Sequence, residues 1–235
     1  MSSIWTEKYR PGTFDQIKGQ RDIVEKIKAF VTTKSMPHLL FAGPAGVGKT
    51  TLSLVIAKQL FGEEWRQNVL ELNASDTRGI DTVRGQVKDF ARTKAVGDVP
   101  FKIIILDESD ALTKEAQQAL RRTMENYTKT ARFILLANYS SKIIDPIQSR
   151  CAIFRFKPLS EAEIYQVIQN VAREEQLLLS PEAQKALFET CDGDCRRLEN
   201  IMQSCAVLNK QITPELVYSM ASVAEDSPLP SRRSK

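Results

Sequence analysis

The chain has 235 residues, 42% hydrophobic and 26% charged, with 33 Lys and Arg against 29 Asp and Glu for a net charge of +4. That balance excludes a disordered or fibrous chain, and a chain of this length buries roughly 70% of its unfolded surface without a disulfide or metal staple. The charge is too slight to point to nucleic acid by itself, so any basic surface must be local.

The amino-terminal stretch MSSIWTEKYRPGTF carries charge early and has no apolar core, unlike a signal peptide. Nor does any apolar run reach the roughly 18 residues that read as a membrane span. The single histidine, His38, lies inside the apolar run 38–43, HLLFAG. One buried histidine argues against His-based zinc sites and against Ser–His or Cys–His nucleophiles. Cys151, Cys191, Cys195 and Cys205 form neither a C-x-x-C knuckle nor a secreted framework. A reduced, intracellular chain is expected.

From residue 38 onward short apolar runs alternate with amphipathic stretches. Strands are predicted at 38–43, 68–73, 101–107, 132–138 and 152–156, most of them buried on both faces, with helices at 48–61, 80–94, 113–126 and 142–149. This alternation predicts an α/β domain over 1–157, a parallel sheet covered by helices on both sides. After Pro158 no further strand is legible. Ser160 with Glu163 is a capping box for a helix over 161–175, and Ser180-Pro181, Asp194 and Thr213-Pro214 start three more. These make a small all-helical domain, 158–225, with residues 226–235 expected to be a disordered tail.

The first strand runs into Gly43-Pro44-Ala45-Gly46-Val47-Gly48-Lys49-Thr50, followed by Thr51, which matches G-x-x-x-x-G-K-[ST] between a strand and a helix. Glycines let successive backbone N–H groups converge on phosphate oxygens, Lys49 supplies charge to the β- and γ-phosphates, and Thr50 offers its hydroxyl to Mg²⁺. The strand 101–107 ends in Asp107 and Glu108. Asp107 can reach the Mg²⁺ shell, and Glu108 is a natural base for an attacking water. Asn138 ends the next apolar strand, where an amide can meet the γ-phosphate or the water, although strand-end turn residues are also common.

Three sets of cations stand out. Arg84, Lys88 and Arg92 recur every four residues on one helical face opposite Val83, Val87 and Phe90. Such a stripe either follows a phosphate backbone or is a solvated face. Arg196 and Arg197 occupy the first turn of a helix, where the macrodipole disfavours cations, so an anion is expected nearby. Asp192, Asp194 and Glu199 are alternatives to a nucleotide for that anion. Arg150, in Ser149-Arg150-Cys151, is a candidate arginine finger in cis or in trans, or a surface cation at a helix end.

Together these residues closely resemble the small subunit of replication factor C, the archaeal and eukaryotic sliding-clamp loader, within the AAA+ ATPase superfamily. The resemblance rests on W-T-E-K-Y-R-P (5–11), L-N-A-S-D-T-R-G-I-D (72–81), D-E-S-D (107–110), A-N-Y-S-S-K-I-I-D-P-I-Q-S-R-C (137–151) and G-D-C-R-R (193–197). Ser109 stands where the family more often has a small apolar residue. The resemblance implies an ATPase that uses ATP and Mg²⁺ to load the polymerase clamp on primer–template DNA, with large and small loader subunits as partners and no membrane. It is implied to be cytoplasmic in an archaeon and nuclear in a eukaryote. Tyr9, Arg10 and Ile17 would lie by the adenine, Asn138 and Arg196 would be the two sensors, and Arg150 would reach a neighbouring subunit's ATP. The 84/88/92 stripe would track DNA, and Phe90 to Val96 would meet the clamp. Family members continue into a helical collar that holds the ring, and the sequence stops soon after the helical domain, so no collar is expected. The rival readings are another AAA+ branch-migration motor or initiator, whose pore loop or DNA-binding module is not visible, and a structural subunit that holds ATP without hydrolysing it. Intact Lys49, Asp107, Glu108 and Asn138 argue against the second.

Overall fold

The computed structural model describes residues 4–75 and 80–226, leaving out the side chains of 80–84 and 223–226. The expected tail beyond Asp226 lies outside these residues. Five strands, β1 (His38–Ala42), β2 (Val69–Asn73), β3 (Lys102–Asp107), β4 (Ala131–Ala137) and β5 (Cys151–Arg155), form one sheet in the order β2-β3-β4-β1-β5. Every pairing is parallel. The three central strands are buried along nearly their whole length, whereas the edge strands β2 and β5 are half-buried or exposed at most positions. Two-sided burial therefore holds for the centre of the sheet and fails at its edges, where one neighbour is missing. Leu39, Leu40, Phe41, Ile103, Ile104, Ile105 and Phe133 are fully buried. Each such side chain contributes about 1.5–3 kcal/mol.

The helices are α1 (Trp5–Lys8), α2 (Arg21–Thr32), α3 (Lys49–Phe61), α4 (Trp65–Asn68), α5 (Ile80–Arg92), α6 (Lys114–Asn126), α7 (Asp145–Gln148), α8 (Glu161–Glu175), α9 (Pro181–Cys191), α10 (Cys195–Leu208) and α11 (Pro214–Asp226). Helix α3 buries residues on all sides, Leu52 to Ala57 without a break, so it is a core helix. Helix α2 has no counterpart among the predicted elements. It buries Val24 and Ile27, but it starts from Gln20 in a left-handed conformation with no side-chain cap, so the usual start signal is missing. The helix expected over 142–149 is only α7, because Ser140–Lys142 forms a 3₁₀ turn before Pro146 opens the first helical turn.

The chain divides into two compact units, one of Pro11–Lys157 and the other from Pro158 onward together with the segment up to Arg10. Both crossings fall at an X–Pro step, where the residue before proline is held out of the helical region. The sheet unit was expected to begin at the amino terminus. Instead Trp5 is buried, and its backbone N–H donates to Gln203 Oε1 of α10 at 3.0 Å. A large apolar ring needs a surface to cover it, and α10 supplies one. The helical unit starts its helices as expected: Ser160 with Glu163 forms a capping box, Ser180 accepts from Ala183 N and Asp194 from Arg197 N. It is not purely helical. Strands β6 (Leu178–Leu179) and β7 (Gln211–Ile212) form a short parallel ladder.

All four cysteines are free. Burial pushes the thiols of Cys151 and Cys195 up to about 12, so neither is a thiolate nucleophile. His38 is buried at the start of β1, where its Nδ1 accepts the Phe133 backbone N–H at 3.1 Å. Burial, with the Arg132 charge adding to it, lowers its pKa to about 4. His38 is a neutral structural residue, as its apolar setting predicts.

Candidate nucleotide-binding site

Strand order brings the candidate residues together. Strand β4 lies between β1 and β3, so the loop after β1, the acids after β3 and Asn138 after β4 all open on the carboxyl edge of adjacent strands. In that loop Gly46 and Gly48 take φ of +66° and +95°, conformations that only glycine adopts freely. Gly43 has a different reason. A Cβ there would lie 2.5 Å from Phe156 O, so a larger residue would push the loop off the sheet. Val47 is buried and anchors the loop, while Pro44 and Ala45 are exposed at its tip. Gly48 caps α3, so the first N–H groups of a thirteen-residue helix face the loop.

Lys49 is buried, and its Nζ donates to Gly43 O and Pro44 O, each at 2.6 Å, and to Asn138 Oδ1 at 3.2 Å. Thr50 Oγ1 donates to Asp107 Oδ2 at 3.2 Å, and Glu108 N donates to Asp107 Oδ1 at 2.8 Å. The hydroxyl and the carboxylate are a pair of hard oxygen donors, which fits Mg²⁺ held partly by substrate phosphates. No group of three or more His, Cys, Asp or Glu able to hold a metal occurs among the described residues, so such an ion would take its remaining ligands from phosphate and water. Glu108 itself is exposed and left-handed, with φ of +52°. A non-glycine residue in that region is strained, and such strain concentrates at functional sites.

Two further residues support this edge. Asp110 Oδ2 accepts from the backbone N–H of both Asn138 and Tyr139 at 3.2 Å, tying the turn after β3 to the end of β4. The last acid of D-E-S-D is the available signal, and its role shows only once β3 and β4 are neighbours. Ser109 is fully buried and donates to Leu106 O at 2.8 Å, which explains how a hydroxyl is accommodated there.

Arg150 stands elsewhere. Cys151 is in register with His38 and Arg155 with Ala42, so Arg150 lies at the amino edge and the phosphate loop at the carboxyl edge. Five strand residues separate them, about 16 Å. Arg150 Nη2 meets Glu125 Oε1 at 2.5 Å, Nη1 donates to Pro146 O at 2.6 Å, and Arg121 Nη1 shares the same Glu125 oxygen at 2.9 Å.

Arg196 is exposed in the first turn of α10. Of the alternative anions, Asp194 is used as the N-cap. Glu199 is buried; burial raises its pKa to about 7, against the opposing charges of Arg10 and Arg196. Tyr9 and Arg10 belong to the helical unit and Ile17 to the sheet unit. Ile17 is half-buried in a turn where the Gln20 amide donates to Lys157 O at 2.6 Å and accepts from Lys157 N at 3.3 Å. Of the basic stripe, Lys88 is exposed, and Arg92 Nε donates to Tyr127 Oη at 3.3 Å with Asp89 at 3.9 Å. The side chain of Arg84 lies outside the described residues. Arg122 of α6 lines an open groove with Lys88, a cation that periodicity along α5 could not reveal.

Residues 39–159 match the family described as ATPase family associated with various cellular activities (AAA). The chain is 53% identical over 216 residues to the replication factor C small subunit of Thermofilum pendens, covering 92% of this chain and 66% of the relative. It is 53% identical over 224 residues to that of Methanococcus maripaludis, covering 95% and 71%, and 54% over 222 residues to that of Methanoregula boonei, covering 94% and 69%. The chain thus spans about two thirds of the length of these relatives. Among solved structures it is similar in fold to the RuvB Holliday junction branch migration motor of Thermotoga maritima, with a TM-score of 0.70 at 20% identity over 92% of this chain and 72% of that one.

Proposed function

The chain belongs to the replication factor C small-subunit family of AAA ATPases, and on that premise we propose that it is the ATPase subunit of a sliding-clamp loader. The observation that carries the ATPase reading is the set of contacts joining Lys49 to Asn138 and Thr50 to Asp107 at one sheet edge, beside exposed Glu108. The glycine loop, Lys49 and the α3 N-terminus hold the phosphates, Thr50 and Asp107 hold Mg²⁺, and Arg196 senses the γ-phosphate. When bound there, Mg²⁺ would neutralise charge on the phosphates. Glu108 takes the proton from the attacking water, and Asn138 orients that water. Tyr9, Arg10 and Ile17 face the adenine.

Arg150 acts on a neighbouring subunit's nucleotide. Its position at the amino edge supports a role in trans, since its own phosphate loop is a strand's length away. Lys88 and Arg92, with Arg84, follow the backbone of primer–template DNA without reading its sequence. ATP binding favours a state that grips clamp and DNA, and hydrolysis releases both. The likeness to a branch-migration motor is one of fold, whereas the family relation runs through 53% identity, so the loader reading is the one advanced. The test is the ATPase rate of the chain with its partner subunits, measured with and without a ring clamp and primed DNA. Stimulation by both supports the loader. A rate that neither changes counts against it.

A further inference from the structure

Asn68 closes α4 immediately before the edge strand β2, and it is fully buried. A buried amide needs partners for its donors and its acceptor. Here both ends go to one residue of the loop before β3. Nδ2 donates to Val96 O at 2.9 Å, and Oδ1 accepts from Val96 N at 2.8 Å. Nδ2 also donates to Glu64 O at 3.4 Å. The side-chain amide thereby stands in for the peptide group that a loop residue lacks beside it. Gly97 is held against the same element: its φ is +91°, and a Cβ there would lie 2.9 Å from Glu64 Oε2. Further along, Val99 and Phe101 are buried. Glu64, Asn68, Val96 and Gly97 all belong to the sheet unit.

These anchors fix a residue whose side chain they do not bury. Val96 is 41% exposed, an apolar group left in water on a backbone held at both its N–H and its carbonyl. Single exposed apolar residues are common on any surface, and what sets this one apart is the buried amide committed to it. A loop that is ordered before it meets a partner loses less conformational freedom on docking. We propose that Asn68 is a positioning residue for clamp binding: it holds Val96 in place as a fixed apolar contact for a pocket on the ring clamp. This rests on the reading that Phe90 to Val96 meets the clamp.

Calorimetric titration of the full chain with the ring clamp of the same organism, and separately with MgATP, distinguishes this role from general damage. Val96→Asp, at an exposed position, should abolish clamp binding and leave ATP affinity and Tm as in the wild type. Asn68→Ala should weaken clamp binding about tenfold and leave ATP affinity within about twofold. Gly97→Ala, strained at its positive φ, should shift the loop and weaken clamp binding about threefold, and this arm stands even if Asn68→Ala does not fold. Val96→Ser with Asn68→Ala should bind the clamp no more weakly than Val96→Ser alone, because the amide then positions a side chain that no longer binds. Wild-type clamp affinity in Gly97→Ala or in a folded Asn68→Ala, beside a weakened Val96→Asp, overturns the proposal and spares the clamp reading. ATP affinity that falls in Asn68→Ala as far as clamp affinity also overturns it, as do additive losses in the double variant. If Val96→Asp binds the clamp like the wild type, the clamp reading of this segment fails and the proposal with it.

Discussion

At the carboxyl edge of the sheet Lys49 bonds Asn138 and Thr50 bonds Asp107 around a glycine loop, while at the amino edge His38, Lys102, Arg132 and Arg150 bond residues that brace the strand starts. Lys102 Nζ donates to Thr93 Oγ1 at 2.5 Å and lies 4.3 Å from the Phe90 ring centre. Arg132 donates to the carbonyls of Met36 and Thr128. Arg150 donates to the carbonyl of Pro146. The two edges differ because every strand is parallel. Helices leave from the carboxyl edge with their N–H groups exposed there, and the chain returns to the amino edge with carbonyls outward. The first edge suits phosphate and the second suits guanidinium and ammonium groups. The same topology thus separates an edge where Lys49, Thr50, Asp107 and Asn138 gather around a glycine loop from one where polar groups brace the strand starts.

This contrast can be broken most sharply at Glu108. Glu108→Gln should lower turnover about a thousandfold while leaving ATP affinity within about twofold, because only the proton acceptor is lost. Retained turnover in a steady-state ATPase assay would remove Glu108 from the chemistry.

The amino edge should respond to pH rather than to nucleotide. His38 has a folded pKa of about 4 against 6.5 when exposed, so the unfolded chain binds the extra proton between those values. Its contribution is fully present above pH 6.5 and is lost as pH falls through 4, amounting to about 3 kcal/mol. Urea unfolding at a series of pH values should show this slope. His38→Asn, which can still accept from Phe133 N–H without titrating, should flatten it. An unchanged slope would mean that another group titrates there.

Smaller effects belong to the residues that brace the carboxyl edge. Asp110→Ala should free the N–H groups of Asn138 and Tyr139, costing about 1 kcal/mol of stability and lowering kcat about tenfold with KM unchanged. Equal changes in kcat and stability-corrected KM would make Asp110 merely structural. Ser109→Ala should be the mildest, within about 1 kcal/mol in thermal unfolding and without effect on turnover, since it removes a donor whose acceptor Leu106 O retains its place in the strand.

The strands and most helices were legible because their signals are local: apolar runs of strand length, capping residues at Ser160, Ser180 and Asp194, and glycines at fixed offsets before Lys49. Helix α2 was not, since it begins at an uncapped left-handed Gln20. The short β6–β7 ladder was not, since two-residue strands carry no periodicity. At the site, the residue types were readable, but the Lys49–Asn138 contact joins positions 89 apart and depends on β4 lying beside β1. The bracing by Asp110 and the tethering of Arg150 by Glu125 depend likewise on which elements become neighbours.

Length, composition and a slight net charge already excluded a disordered or fibrous chain, and the glycine loop with its acidic partner pointed to nucleotide chemistry, because a cradle of N–H groups and a metal-binding carboxylate each need particular residues at particular spacings. Three things were decided only in the folded chain. Arg150 faces away from its own phosphate loop, the amino-terminal segment belongs to the helical unit, and Asn68 holds Val96. Each is a relation between residues far apart in sequence. Such relations follow from strand order and from which surface buries an apolar side chain, and neither is encoded in any single stretch of the chain.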